Sequence, residues 1–260
     1  MLRALYTSAA GMQSQQVNLD VIANNLANVN TTGFKKHKPE FQDLLYQTTR
    51  AAGADQGGGN LLPTGIQIGH GSQLVATTRV FTTGEFSSTG EELDVAIHGD
   101  GFFEVQMADG TVAYTRDGTL KRSSDGVVTT NGGLPLQGGW QPIDSASKVT
   151  IAPTGEVTLT GPGDEQQSFR VQLTRFSNPA GLRSIGQNLY AETGASGPPE
   201  LGSPGENGFG QLQQGFVELS NVKVVEEMVN MILAQRAYEV NSKAVQAADD
   251  MMQLSNNLRR

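Results

Sequence analysis

Both ends of this 260-residue chain carry long helical patterns, whereas the sequence between them is typical of β-structure. The N-terminal pattern is a seam that repeats every seven residues and comprises Leu5, Met12, Leu19 and Leu26, with Ile22 on the same side. Across residues 4–34 the only charged side chain is Asp20, although an ordinary surface helix carries Glu and Lys on its wet face. The pattern predicts a helix covered by other helices, either within a globular domain or between subunits.

The C-terminal pattern is longer. Apolar or small side chains alternate spacings of four and three at Leu233, Ala237, Val240, Ala244, Ala247, Met251, Leu254 and Leu258, and Val229 and Ile232 continue the pattern upstream with a one-residue slip. Residues 221–258 contain no Gly or Pro, so one continuous helix of roughly 55 Å is expected. Such a helix exceeds the usual length in a globular domain. The two ends together therefore favour a coiled-coil-like assembly.

The terminal helices are expected to be incomplete without partners. Ordering each residue costs on the order of 1 to 2 kcal/mol in backbone entropy, and a pair of helices leaves one face of each helix wet. We therefore predict that the ends fold fully only when copies assemble. The predicted assembly interface comprises Leu5, Met12, Leu19, Ile22, Leu26, Val229, Ile232, Leu233, Val240, Met251, Leu254 and Leu258.

Composition excludes several classes of protein. The formal net charge of -8 and the pI near 4.9 argue against a nucleic-acid binder, which needs a basic surface. The absence of cysteine excludes disulfides and thiolate metal sites. No apolar run approaches the roughly 20 residues of a membrane span. The first residues also lack the apolar core of a cleaved secretory signal, so an exported chain would need another route.

The middle of the chain predicts a β-meander. Asp109-Gly110, Asp117-Gly118 and Asp125-Gly126 have the composition of tight hairpin turns. The segments between them are rich in β-branched residues, and further strands are predicted at 93–97, 102–107, 149–152, 156–160 and 169–176. Repeated Asp-Gly can bind calcium, but the nonapeptide glycine pattern of calcium-binding β-rolls is absent, so plain turns are favoured.

These patterns predict an α+β fold, in which N- and C-terminal coiled-coil-like helices pack together beside a central, mostly antiparallel β-domain. Two stretches have the composition of linkers, one rich in Gly near residue 55 and one rich in Pro and Gly near residue 200. The predicted organisation is a helix and turn at 1–45, a Gly-rich connector at 46–73, the β-domain at 74–193, a return linker at 194–219, and a helix at 220–260 that completes the helical assembly domain.

The sequence contains few motifs that are typical of catalytic sites. His37, His70 and His98 are scattered, without the spacing that places two metal ligands on one helix face. A Gly-x-Ser-x-Gly nucleophile elbow is also absent. Glu91 and Glu92, with Asp94, could act as paired glycosidase carboxylates, but a solvated turn is the favoured interpretation. We therefore expect no catalytic residue, no metal and no cofactor.

Long motifs at both ends carry a family resemblance. Residues 23–35 resemble the N-terminal signature of the bacterial flagellar rod and hook family, and residues 220–243 resemble its C-terminal signature. Three blocks between them, at 94–103, 114–118 and 186–193, are also similar to family sequences. Within the family, the stretches 44–50 and 62–69 are most similar to the distal rod members. The resemblance therefore spans essentially the whole chain.

The resemblance implies a structural, non-enzymatic subunit that polymerises helically into the rod transmitting motor torque across the periplasm. The terminal helices would form an inner tube and the β-domain an outer layer. The implied partners are other copies of the chain, proximal rod proteins, the hook protein, the P and L ring proteins, and the flagellar type III export apparatus, which would export the chain without a cleaved signal peptide. The expected location is thus the periplasmic rod of the flagellar basal body.

Other classes of function stay open at this point. Another axial member of the family, proximal rod or hook-like, would share the terminal helices. A secreted β-domain enzyme acting on glycans would need clustered carboxylates or histidines. A secreted adhesin or passive coiled-coil oligomer would share the heptads without the paired signatures.

Overall fold

The chain separates into a helical unit and a β unit. The computed structural model describes residues 2–53, 63–143, 148–161 and 166–257. The helical unit comprises Met1–Leu26, His37–Thr78 and Lys223–Arg260, and the β unit comprises Ala27–Lys36 and Arg79–Val222. Helices lie at both ends and antiparallel strands between them, so the predicted α+β class is confirmed.

The two long helices are α1 (Leu2–Ala27) and α2 (Val224–Asn257). α1 is rich in Ala, Leu and Gln, which lose little side-chain freedom in a helix. α2 begins where the Lys223 carbonyl accepts a hydrogen bond from the Glu227 N–H at 3.0 Å. Glu226 and Glu227 lie in the first turn, where acidic groups are favoured by the helix dipole. The 34 residues of α2 give a helix about 51 Å long.

The helical unit also contains four strands that pair two by two, and we call them the ribbon. They are β1 (His37–Asp43), β2 (Tyr46–Arg50), β3 (Ile66–Gly69) and β4 (Ser72–Arg79). β1 pairs with β4, and β2 pairs antiparallel with β3. The predicted connector at 46–73 thus contains paired strands, and its residues 54–62 lie outside the described residues. Most side chains on both faces of the ribbon are exposed, and apolar and polar residues alternate clearly only over Ile66-Gln67-Ile68, so β-structure was predicted only from residue 74 onward.

The β unit is built from short strands. They are β5 (Phe86–Ser88), β6 (Val95–His98), β7 (Phe103–Gln106), β8 (Val112–Thr115), β9 (Leu120–Arg122), β10 (Val128–Thr130), β11 (Lys148–Ile151), β12 (Glu156–Thr160), β13 (Gln166–Arg170), β14 (Leu173–Arg175), β15 (Arg183–Gly186), β16 (Leu189–Ala191), β17 (Glu200–Gly202), β18 (Gln211–Gln214) and β19 (Phe216–Glu218). One sheet has the order β15-β16-β8-β7 and another the order β11-β12-β13. β18 pairs with β6 and β19 with β5, so the predicted return linker at 194–219 contributes strands to this unit.

Most of the predicted strands in the β unit are confirmed. The strand predicted at 156–160 coincides with β12, and those predicted at 93–97, 102–107 and 149–152 differ from β6, β7 and β11 by one or two residues at their ends. The strand predicted at 169–176 is wrong as a single element, because the chain changes partner there. β13 pairs with β12, whereas β14 pairs with β17.

The three Asp-Gly pairs have different roles. Gly110 (φ 83) turns the β7–β8 hairpin, and Gly126 (φ 78) turns the β9–β10 hairpin, as predicted. Asp117-Gly118 does not connect paired strands, because β8 pairs with β7 and β16 while β9 pairs with β10. A Cβ atom at Gly118 would lie 1.8 Å from the Val95 carbonyl oxygen. A glycine is therefore required at position 118 because the two backbones pack closely there.

The core of the β unit lies between its sheets. Val95, Val105, Val157 and Leu173 have no exposed surface, and Phe103 is 1 % exposed. A second, aromatic cluster contains Phe102, Tyr114, Phe176 and Tyr190. Every residue of both clusters belongs to the β unit, which therefore has the apolar interior of a stable domain.

Candidate assembly surface

The apolar stripe on α2 is exposed. We call Val229, Ile232, Leu233, Val240, Met251 and Leu254 the α2 seam. Their exposed fractions run from 50 % at Val229 to 65 % at Val240. Leu258, the last residue of the predicted stripe, lies outside the described residues. The described part of the chain therefore leaves the α2 seam open to solvent.

A different side of α2 is buried within the helical unit. Ala234 and Ala248 are 3 % and 1 % exposed, and the Glu227 side chain is also buried. Because successive residues are about 100° apart around a helix, Ala234 lies on a side rotated by one residue from Leu233. α2 thus has two adjacent apolar sides, one buried in the single chain and one available to other molecules.

The N-terminal seam is less exposed. Its members Leu5, Met12, Leu19 and Leu26 are partly buried, whereas Ile22 is 4 % exposed. The exposed side of α1 that adjoins this seam carries Ala9, Gln13, Gln16, Asp20 and Ala23. A surface with such small and amide side chains suits close packing or a water-filled channel more than an isolated surface helix.

Small and polar residues hold α1 within the helical unit. A Cβ atom at Gly11 would lie 3.0 Å from the Asn241 side chain of α2, so the two helices approach closely there. Asn25 Nδ2 donates to Glu227 Oε2 at 3.4 Å. The Asn25 side chain also holds the start of the ribbon, because it donates to the His37 carbonyl and accepts from the His37 N–H, both at 2.9 Å.

The sequence analysis missed these contacts. Asn25 is 2 % exposed and lies inside the N-terminal signature, and its only signal was the number of amides in an almost uncharged helix. The Ser14 hydroxyl lies 3.3 Å from the Ser72 carbonyl oxygen, and a Cβ at Gly71 would lie 3.2 Å from Ala10 Cβ. The ribbon is therefore fastened to α1 at two places.

The ribbon carries a second exposed apolar surface that the sequence did not predict. Leu45 is 87 % exposed, and Tyr46, Ile66 and Val75 are each more than half exposed. A pair of strands is marginally stable by itself in water. Such exposed apolar side chains are typical of a surface that binds another molecule.

Burial of these surfaces would supply a large driving force for association. Fully burying a Val, Leu, Ile or Met side chain contributes about 1.5 to 3 kcal/mol. The α2 seam alone presents six such side chains that are half exposed or more. Soluble monomers seldom present so long an apolar stripe, so self-association or a partner is expected.

The β unit offers weaker candidates for catalysis. Glu91 and Glu92 border a shallow hollow of about 410 Å³, where Lys121 and Arg122 also lie. Asp94 is 4 % exposed, so it does not share their exposed position. Among the described residues, no group of three or more His, Asp or Glu side chains could hold a metal ion. The three acidic residues are therefore not exposed together at this hollow.

A helix that crosses a membrane has to be both long and apolar. Of the helices in the described residues, α2 included, none combines the length and the apolar character that crossing a membrane requires.

Comparisons with known families match the chain in three places. Residues 5–35 match the family described as "Flagella basal body rod protein". Residues 96–159 match the family "Flagellar hook protein FlgE/F/G D1 domain", and residues 213–258 match "Flagellar basal body rod FlgEFG protein C-terminal". The terminal matches cover the two helices with the apolar seams, and the central match lies in the β unit.

Full-length relatives agree with these matches. The chain is 48 % identical over 264 residues to the flagellar basal-body rod protein FlgG of Borreliella burgdorferi, with 100 % of both chains covered. It is 43 % identical to FlgG of Caulobacter vibrioides, over 99 % of this chain and 100 % of the relative. It is 40 % identical to FlgG of Bacillus subtilis, with 100 % of both chains covered. With the apolar seams of both terminal helices inside matched regions and relatives similar from end to end, the chain belongs to the flagellar basal-body rod family, in its FlgG, or distal rod, branch.

Proposed function

We propose that copies of this chain polymerise helically through their terminal helices and form a rod that transmits motor torque to the hook. The observation that carries the proposal is the exposed α2 seam, in which Val240 and Leu254 are 65 % and 63 % exposed. A stripe that continues along most of α2 fits a partner helix of similar length. Neighbouring copies supply such helices in a homopolymer.

In this proposal the helices form the inner layer of the rod and the β units form the outer layer. The almost uncharged exposed side of α1 supports an inner position, because only Asp20 carries a charge there. Amide side chains such as Gln13 and Gln16 hydrogen-bond to water in a channel and to neighbouring backbone groups. The β unit, with its own core, would face outward.

The partners follow from the position of a rod between the motor and the hook. We propose that the two ends of the polymer meet proximal rod proteins and the hook protein, and that its side meets the P and L rings in the periplasm. Export through the flagellar type III apparatus requires an unfolded chain, which suits helices that fold fully on assembly. The role is structural, because the family and the exposed seams both point to assembly instead of catalysis.

Polymer formation tests the proposal. Purified protein, concentrated or seeded with isolated basal bodies, is expected to form straight helical tubes that are visible by negative-stain electron microscopy. Protein that stays monomeric by light scattering at every concentration, with seeds and without them, would contradict helical polymerisation.

Hydrogen exchange gives a second prediction, on the monomer. In dilute protein verified as monomeric, amide hydrogens in the core strands β6, β7 and β12 are expected to exchange slowly. Those of α1 and α2 are expected to exchange fast, since ordering costs about 1 to 2 kcal/mol per residue and the α2 seam lacks cover. The polymer serves as the control, because its helices should become protected. Strong protection of both helices in the monomer would disprove folding on assembly.

A further inference from the structure

Three segments of the β unit lie beside the places where the chain passes between the two units. Of the four places where the division falls, three are after Lys36, before Arg79 and after Val222, and the fourth, after Leu26, begins the short segment that ends at Lys36. The adjoining segments of the β unit are 33–36, 79–85 and 218–222. They are distant in sequence, but hydrogen bonds bring them together inside the β unit.

A buried ion pair contacts all three segments. Lys35 Nζ lies 2.6 Å from Glu218 Oε1, and the two side chains are 0 % and 1 % exposed. Lys35 Nζ also donates to the Thr82 carbonyl at 2.8 Å. The Gly84 N–H donates to the same Glu218 Oε1 at 2.8 Å. One pair of charges therefore joins residues from each segment.

Asn221 makes a second connection among the same segments. Its Oδ1 accepts from the Lys36 N–H at 2.8 Å, and its Nδ2 donates to the Val80 and Thr82 carbonyls at 2.8 and 3.1 Å. A Cβ at Gly84 would lie 2.1 Å from the Leu219 carbonyl oxygen, so the backbones are in close contact. We call Lys35, Glu218 and Asn221 the clamp.

The ion pair is a poor source of stability. Burial lowers the pKa of Lys35, and the nearby charge of Arg116 lowers it further, while Glu218 opposes both effects. Glu218 Oε2 has no hydrogen-bond partner among the described residues. A buried pair that is incompletely hydrogen-bonded gains little over apolar side chains of similar size. What charges add is specificity, because only one arrangement of the segments satisfies them.

We propose that the clamp is a positioning device that fixes these three segments of the β unit relative to one another as one rigid joint, so that load carried along the chain enters the β unit through a single block. The proposal rests on the proposed function, since a joint of this kind matters in a polymer under torque. Without the clamp, each of the three segments would bend independently, because a single length of polypeptide backbone is flexible. The clamp then determines the stiffness of the assembled tube.

The test replaces the charges by apolar side chains. In Lys35→Met/Glu218→Leu, the melting of the β unit, followed by fluorescence of the single Trp140, is expected to stay within about 3 °C of the unaltered protein. Its tubes are expected to have a several-fold shorter persistence length by electron microscopy. The matched control is Arg170→Met/Glu206→Leu, which removes an ion pair that is at least half exposed and should leave the persistence length unchanged.

A second variant covers the case in which the double variant unfolds. Asn221→Ala removes the amide bridge without leaving a buried charge, and it is expected to shorten the persistence length in the same way. Unchanged persistence length in Asn221→Ala, or in a folded double variant, would overturn the clamp while leaving polymerisation intact. A lack of tubes from the unaltered protein would instead contradict the proposed function, and with it the clamp.

Discussion

Replacing Leu254 by aspartate is expected to abolish polymerisation while leaving the β unit folded. The side chain is 63 % exposed in the single chain, so the substitution costs the monomer little. In a polymer the carboxylate would be buried against a neighbouring helix, and burial of an unpaired charge costs several kcal/mol. The polymer pays this cost at every subunit. Sedimentation after seeding measures polymer, and Trp140 fluorescence measures the β unit.

Gln235→Asp is the matched control, because it places the same carboxylate off the α2 seam, about 100° around the helix from Leu254. Gln235 is exposed and does not belong to the α2 seam. This variant is expected to sediment with seeds like the unaltered protein. Normal polymerisation of Leu254→Asp would show that the α2 seam is not the surface of assembly.

Replacing Gly118 by alanine is expected to destabilise the β unit strongly. The added Cβ would lie 1.8 Å from the Val95 carbonyl oxygen and 2.7 Å from its carbonyl carbon. The Val95 N–H also donates to the Gly118 carbonyl at 3.0 Å, so the two backbones cannot separate without losing this bond. We expect a loss of about 3 kcal/mol and a melting temperature lower by about 10 °C, measured by calorimetry.

Gly110→Ala provides the comparison within the same sequence motif. Gly110 has a φ of 83°, but a Cβ there meets no atom within 4 Å. The substitution therefore adds only backbone strain of about 1 kcal/mol, which corresponds to about 3 °C. Equal losses in the two variants would show that turn conformation, and not close packing, explains the glycine at 118.

The helices could be predicted from the sequence because their signal is long and periodic. The heptad spacing runs without a break from Leu233 to Leu258 and continues upstream after a one-residue slip, and the structure has one helix of 34 residues there. The side of α2 that is buried in the single chain was not predicted, because Ala234 and Ala248 have small side chains that contribute little to a hydrophobic pattern. Apolar spacing identifies the largest side chains, which here face outward.

The ribbon and the clamp could not be predicted, for a different reason. The exposed strand β2 lacks the alternation that a half-buried strand shows, and in β3 the alternation is limited to Ile66-Gln67-Ile68, which is too short to predict a strand. Lys35 and Glu218 are separated by most of the chain, and a lysine in sequence predicts an exposed position. Their burial depends on tertiary contacts, which local patterns do not report.

A helical reconstruction of the rod by electron cryomicroscopy is the most direct test of the central claim, that the exposed seams of the terminal helices are the assembly surface. The account predicts that Leu233, Val240 and Leu254 of each copy lie buried against helices of neighbouring copies, with the β units outside them. A map in which these side chains face solvent, and copies touch through their β units alone, would contradict it.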